Sequence, residues 1–555
     1  MAEGPALEKK KITGSALLGR ALARQGVDTL FYLMGAPTYE AANACLAEGL
    51  RIIDARHEQG AAFMAQAYAR VRGGPAVCMA SSGPGTVNLA SGLANALVDC
   101  APVVALGGAS PLSQFGTGAF QEIDQVAIMR PVTKWAERVY DARRIPQYIE
   151  MAFGQAISGK PGPVYLDLPG DVLDQAVDED SVRWPRGPKA LPRPAASPES
   201  LARMVELLEK AKKPVLLTGS GILWSGASKE LQRLVEQAGI PFYTTPQGRG
   251  VVPEDHEFFY SAARSTAYRE ADLVVVVGTR LNYVFGHGRP PRFSATAPFV
   301  RIDTDPAEIA TTPRLELGVV GDARTVLSQL ADALSGRVDK GTYAAWREQL
   351  AAIERERAPA AEAKLANDQT PIHPLRLCKE IRDFLPRDAI VAVDGQETLN
   401  YGRQVINSFF PGHRLNSGPF GTMGVGVPFG VGAKAARPDK LVLVLTGDGA
   451  FGINGMELDS AVRNKLPMLV VVNVNGGWTA DPERKKPARD LGYTRYDRLA
   501  EALGCHGEYV EKPEDIRPAL DRAANAVARG RVAVVNVVSD WQARAETSNF
   551  ARHMT

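Results

Sequence analysis

Two apolar runs of this sequence each end in a residue able to bind a cation. Residues 441–446 run into Gly447-Asp448-Gly449, and residues 468–474 run into Asn475-Gly476-Gly477. In open α/β sheets, ligands gather at the carboxyl ends of strands. There the two turns present a carboxylate and an amide side by side. One carboxylate, one amide oxygen and one backbone carbonyl, completed by diphosphate oxygens and water, suit octahedral magnesium. The glycines let the backbone approach phosphates closely. The same residues also make ordinary strand-end turns, because Asp, Asn and Gly are frequent turn formers.

Other candidates are spread along the chain. Arg56-His57-Glu58-Gln59-Gly60-Ala61 places a carboxylate in a largely apolar, glycine-rich setting. A helix N-terminal glutamate favoured by the macrodipole would look the same. Gly421-Thr422-Met423-Gly424 offers a large apolar side chain between glycines, which alone reads as core. Asp394-Gly395-Gln396-Glu397 is polar and follows an apolar run, so it serves equally as a turn.

Taken together, and in the order in which they occur along the chain, these motifs resemble the thiamine-diphosphate-dependent enzymes, and the likeness covers nearly the whole chain. Asn475 follows Asp448 by twenty-seven positions, as in that family's fingerprint, although Asn473-Val474-Asn475 replaces its adjacent asparagines. The resemblance implies that Asp448, Asn475 and the carbonyl of Gly477 hold Mg2+. Gly449, Ala450 and Phe451 would seat the diphosphate through the backbone, beside Gln396 and Glu397. Glu58 would hydrogen-bond the cofactor's aminopyrimidine and favour its imino tautomer, the base that deprotonates the thiazolium carbon. Met423 would enforce the bent cofactor conformation, with the Gly421 carbonyl accepting from the 4′-amino group. The cofactor is the electron sink, and the protein tunes it. The resemblance further implies a homodimer or homotetramer, with Glu58 of one subunit facing the diphosphate site of another.

Within that family, decarboxylases of the pyruvate type carry a histidine pair in the first domain, where this chain has only His57. Acetolactate synthases share the His57–Ala61 context, Ser82-Gly83-Pro84-Gly85 and Phe120-Gln121-Glu122. Their RFDD-like stretch is replaced here by Gly278-Thr279-Arg280-Leu281-Asn282, followed by Gly286-His287-Gly288. That pattern resembles oxalyl-CoA decarboxylase and 2-hydroxyacyl-CoA lyase, as do Ala450-Phe451-Gly452 and Gly455-Met456-Glu457. Thr479 stands where the decarboxylases have tyrosine, which favours the lyase. The resemblance thus implies cleavage of a 2-hydroxyacyl-CoA to formyl-CoA and an aldehyde or ketone, a reversible reaction. Gln121 would line the pocket, and Glu483 would act as general base on the 2-hydroxyl. Arg280 and Arg544 would contact the substrate, and residues 541–555 would form a lid. Arg280 as a strand-end salt bridge, Glu483 in a solvated loop and a frayed terminus are the alternatives.

The elements that must carry these residues follow from patterning. Short apolar runs alternate with amphipathic stretches, the pattern of parallel α/β sheets. Strands are expected at 29–35, 51–55, Ala76–Ala80 and 102–107, with helices at 61–72 and 87–100. Five prolines in 184–198 mark an extended linker. Strands Pro214–Thr218, Leu273–Val277 and Phe299–Asp303, with a helix at 228–239, form a second unit; 343–367 reads as a solvated helical connector. Strands at 389–393, 441–446, 468–474 and 532–538 form a third. The expected fold is α/β, three doubly wound parallel-sheet domains in series: 1–183 for the pyrimidine, 199–342 central, 373–540 for the diphosphate.

Composition excludes several classes. With 64 basic and 62 acidic side chains among 555 residues, the net charge of +2 gives no reason to invoke nucleic acid or an anionic membrane. Any anionic substrate must be met by local basic groups. The five scattered cysteines form no CxxC pair, as expected of reduced thiols in a cytoplasmic protein. Residues 1–12 carry charges without an apolar run, so no secretory signal is expected.

Overall fold

The computed structural model describes residues 10–188, 190, 192–478, 483, 485 and 487–545. These build three parallel α/β sheets in series along the chain, within two compact units.

The first unit contains β1 (Thr29–Tyr32), β2 (Arg51–Asp54), β3 (Ala76–Ala80), β4 (Val103–Ala109), β5 (Trp135–Arg138) and β6 (Val164–Pro169). They lie in the order β2-β1-β3-β4-β6-β5, all parallel. β4 is buried at every position, as a strand covered on both faces must be. The strand expected over 29–35 stops at Tyr32, because the Thr38 hydroxyl donates to the Gly35 carbonyl (2.8 Å) and closes a turn. Helix α1 (Glu58–Arg72) begins three residues earlier than expected. Its cap is His57, whose Nδ1 accepts from the Gln59 N–H (3.1 Å). Helix α2 (Pro84–Val98) opens with proline in its first turn, where no donor is lost.

The second unit contains two sheets. The central one has β7 (Pro214–Thr218), β8 (Phe242–Thr244), β9 (Leu273–Val277), β10 (Phe299–Asp303) and β11 (Leu315–Val320), ordered β8-β7-β9-β10-β11. The stretch 343–367 is not simply solvated: helix α3 (Ala344–Leu365) buries Trp346 and Leu350 in the central core. The Trp346 indole donates to the Pro214 carbonyl (3.2 Å), so the start of α3 is an integral part of this layer. The last sheet has β12 (Ile390–Asp394), β13 (Arg414–Leu415), β14 (Val442–Gly447), β15 (Leu469–Val474), β16 (His506–Val510) and β17 (Ala533–Val538), ordered β13-β12-β14-β15-β17-β16.

Burial pushes the thiols of Cys45, Cys78 and Cys378 up to about 12, which keeps them inert. Among the described residues, no helix is long and apolar enough to cross a membrane.

Candidate active site

In the last sheet, Asp394 pairs with Thr446 and Gly447 with Asn473, so the carboxyl ends of β12, β14 and β15 lie side by side. Three groups of candidate residues leave the sheet there. Gln396 and Glu397 open helix α4 (Gln396–Val405), Asp448 opens helix α5 (Asp448–Asn454), and Asn475 follows β15. Gly447-Asp448-Gly449 is therefore a strand-to-helix junction and not a free turn.

Asp448 and Asn475 are both buried. Oδ1 of Asp448 accepts from the Gly449 N–H (2.8 Å), while its Oδ2 is buried with no hydrogen-bond partner among the described residues. Burial pushes the carboxyl up to about 6, with backbone N–H groups pulling against it. One terminal atom of the Asn475 carboxamide lies 3.0 Å from the Gly477 carbonyl oxygen and 3.3 Å from Asp448 Oδ1. With nitrogen at that position the amide donates to both. With oxygen there, a carboxylate, an amide and a carbonyl oxygen face one another, a set that suits a small divalent cation. The orphaned Oδ2 and this convergence of oxygens fit such an ion. Gly477 has φ +149°, and a Cβ there would lie 2.0 Å from the Arg489 carbonyl oxygen. Trp478 N–H donates to Arg489 O (2.8 Å) and Leu491 N–H to Gly476 O (2.8 Å), which pins this turn. The Trp478 ring lies directly over Gly449.

Met423 is half-buried, on a loop between Gly421 (φ +74°) and Gly424 (φ +85°). Two side chains clamp that loop. The Asn454 amide donates to Gly424 O (2.8 Å). Asp394 accepts from Gly426 N–H (2.8 Å) through Oδ2 and from Gly395 N–H (2.7 Å) through Oδ1.

The first unit places Glu58 as the first residue of α1, 8% exposed, with Oε2 accepting from the Asn88 amide (3.0 Å). Gln121 is half-buried with φ +57°, and its Oε1 accepts from the Ser82 hydroxyl (2.6 Å).

Other expected residues have different surroundings. Glu397 accepts from the Ala545 N–H (2.9 Å), so it ties down the C-terminal segment. The Arg544 guanidinium donates to the carbonyls of Trp541 and Ala543 in its own segment. Arg280 pairs with Glu308 (3.2 Å), which also lies 3.6 Å from the buried Arg301. Glu483 is 63% exposed and paired with Lys485. Thr479, most of its loop (481, 482, 484 and 486) and 546–555 lie outside the described residues.

The structure adds basic residues that sequence reading did not single out. Arg264, Arg292 and Arg403 share a region of the second unit in which no carboxylate of the described residues ion-pairs with any of them. Burial lowers Arg403 to about 10, and Arg249 and Arg264 lower it further by repulsion. Burial also lowers Arg292, again with Arg264 adding repulsion. Arginines near one another without a carboxylate partner are a set whose charge suits an anion. Their only sequence signal was residue type, because they are far apart along the chain.

Comparison with known proteins gives the family of the chain. Three family descriptions match: thiamine pyrophosphate enzyme, N-terminal TPP binding domain, over residues 12–128; central domain, over 201–330; and C-terminal TPP binding domain, over 395–537. The chain belongs to the thiamine pyrophosphate enzyme family. A probable acetolactate synthase of Mycobacterium bovis is 38% identical over 94% of this chain and 95% of its own. A 2-hydroxyacyl-CoA lyase of Arabidopsis thaliana is 34% identical over 99% of both chains. An oxalyl-CoA decarboxylase of Escherichia coli is 31% identical over 97% of both.

Proposed function

We propose that this enzyme is a thiamine-diphosphate- and magnesium-dependent lyase that cleaves a 2-hydroxyacyl-CoA to formyl-CoA and an aldehyde or ketone, reversibly. The observation that carries the acyl-CoA reading is the Arg264, Arg292 and Arg403 cluster, whose charge suits the phosphates of a nucleotide-bearing thioester. Likeness to 2-hydroxyacyl-CoA lyases over the full chain supports it. The higher identity to the acetolactate synthase favours a second reading, condensation of 2-oxoacids.

Thiamine diphosphate supplies a nucleophilic thiazolium carbon and a sink for the electrons of the bond being cleaved. Asp448, Asn475 and the Gly477 carbonyl would hold magnesium, and Gln396 with the backbone of Gly449 and Ala450 would face the diphosphate. Glu58, held by Asn88, would bind the aminopyrimidine ring, and Met423 would support the cofactor from its clamped loop. Gln121, fixed by Ser82, would hydrogen-bond the substrate oxygen next to the reacting carbon. Glu483 is exposed and paired, so no proton transfer is assigned to it.

The enzyme loaded with both cofactors and given 2-hydroxyacyl-CoAs, oxalyl-CoA or pyruvate should release formyl-CoA only from the first, read by mass spectrometry. Acetolactate from pyruvate, with no formyl-CoA from several 2-hydroxyacyl-CoAs, would overturn the lyase reading. Arg264→Ala and Arg403→Ala should each raise KM for the CoA thioester by roughly tenfold. Neither should change it for the corresponding pantetheine thioester, which lacks the nucleotide.

A further inference from the structure

Beneath the turn that carries Ser82 and Gly83 lies a polar cluster with no part in the chemistry above. Asp167 is fully buried, yet three side chains donate to it. Tyr165 Oη (2.6 Å) and Gln125 Nε2 (2.5 Å) reach Oδ1, and Arg138 Nε (2.5 Å) reaches Oδ2. The Arg138 guanidinium is itself stacked 3.9 Å over the Phe115 ring. Gln125 is 2% exposed; its nitrogen also donates to the Gly108 carbonyl (2.9 Å), and its Oε1 accepts from the Gly83 N–H (2.5 Å).

A carboxylate only accepts, so Asp167 fixes which end of the Gln125 amide faces it. The amide nitrogen must point to Asp167 and Gly108, and the oxygen must point to Gly83. Turning the amide over would set its NH2 against the Gly83 N–H and its oxygen against Asp167. The position of Gly83 is thereby set from below. Gly83 has φ +57°, and a Cβ there would lie 2.5 Å from the Gln121 carbonyl oxygen, so turn and Gln121 are in direct contact. On one side of Gly83, Ser82 holds the Gln121 amide. On the other, a Cβ at Gly85 would lie 3.1 Å from Glu58 Oε1, and Asn88 one turn later holds Glu58 Oε2.

We propose that Gln125, locked in one orientation by Asp167, is a positioning residue that sets the 82–85 turn and, through it, the placement of both Gln121 and Glu58. This rests on the roles given above to those two residues. Gln125 touches neither cofactor nor substrate and acts only through the turn.

The test is Gln125→Glu in the holoenzyme, which preserves side-chain shape. Ionised, the introduced carboxyl opposes Asp167 and cannot donate; protonated, it donates to Asp167 and still accepts from Gly83. Asp167 and Tyr165 are the titratable groups facing it, with Arg138 on the other oxygen of Asp167, and a carboxyl buried beside another carboxylate titrates well above its ordinary range. Turnover should therefore fall by roughly ten- to hundredfold at about pH 8 and recover as pH is lowered towards about 6, relative to the native enzyme. KM should move far less than kcat.

A readout independent of any substrate is hydrogen exchange at the Gly83 amide. It should be protected in the native protein and exposed in Gln125→Leu, with the melting temperature as control for folding. If catalysis fails with every substrate, the exchange result still decides the positioning claim and locates the failure in the lyase reading. Native-like Gly83 protection in Gln125→Leu, or a Gln125→Glu profile parallel to that of the native enzyme, would overturn the proposal.

Discussion

At the scale of single residues, Asp448 has two carboxylate oxygens in different states. Oδ1 is satisfied by Gly449, and Oδ2 is buried without a partner among the described residues. Leaving a buried acceptor unsatisfied costs about 1–3 kcal/mol, and a cation bound there would recover that cost. Saturating magnesium with thiamine diphosphate should therefore raise the melting temperature. At a hundredfold excess over Kd the linked stabilisation is about 2.7 kcal/mol. A chelator should reverse it, and Asp448→Ala should lose the magnesium-dependent shift in a thermal melt. A full shift in that variant would place the metal elsewhere. Asn475 was legible from its spacing, whereas the proximity of its amide to Gly477 O and Asp448 Oδ1 depends on the turn being pinned by Arg489 and Leu491.

At the scale of elements, the loop bearing Met423 depends on Asp394 at the end of β12. This carboxyl is buried and pushed from its ordinary 3.8 up to about 6, although backbone N–H groups donate to it. A carboxyl whose pKa rises on folding stabilises the fold fully below its unfolded value, and that contribution is lost as pH rises through its folded value. From about pH 4 to pH 7 the native protein should lose on the order of 2–3 kcal/mol of unfolding free energy relative to Asp394→Asn. Denaturant titrations of both proteins across that range measure the difference; a pH-independent difference would contradict the burial of this carboxyl. The Asp394-Gly395-Gln396-Glu397 stretch drew notice for its polar residues, yet the aspartate's partners are backbone N–H groups, among them that of Gly426, thirty-two residues away.

At the scale of the whole molecule, the assembly that the family resemblance implies puts Glu58 of one subunit opposite Asp448 of another. Mixing Glu58→Ala chains with Asp448→Ala chains, each inactive alone, should then restore roughly a quarter of native turnover, since half of random dimers carry one intact site. No recovery after subunit exchange, verified by native mass spectrometry, would mean that each site draws on one chain. The sequence by itself determined the order of three α/β sheets and the motifs at their strand ends. Period, apolar runs and strand-end glycines are local signals, and they persist along the chain whatever packs against it. Boundaries shifted where a cap or turn closed locally, as at His57 and Gly35, and 343–367 gained a buried face because Trp346 found the Pro214 carbonyl. Only the tertiary structure decided the partners. It paired Arg280 with Glu308 and Glu397 with Ala545, left Arg264, Arg292 and Arg403 without a carboxylate partner among the described residues, and placed Asp167 beneath Gly83 by way of Gln125. Such pairings join residues distant along the chain, and a charged side chain's role depends on what faces it after the sheets have packed.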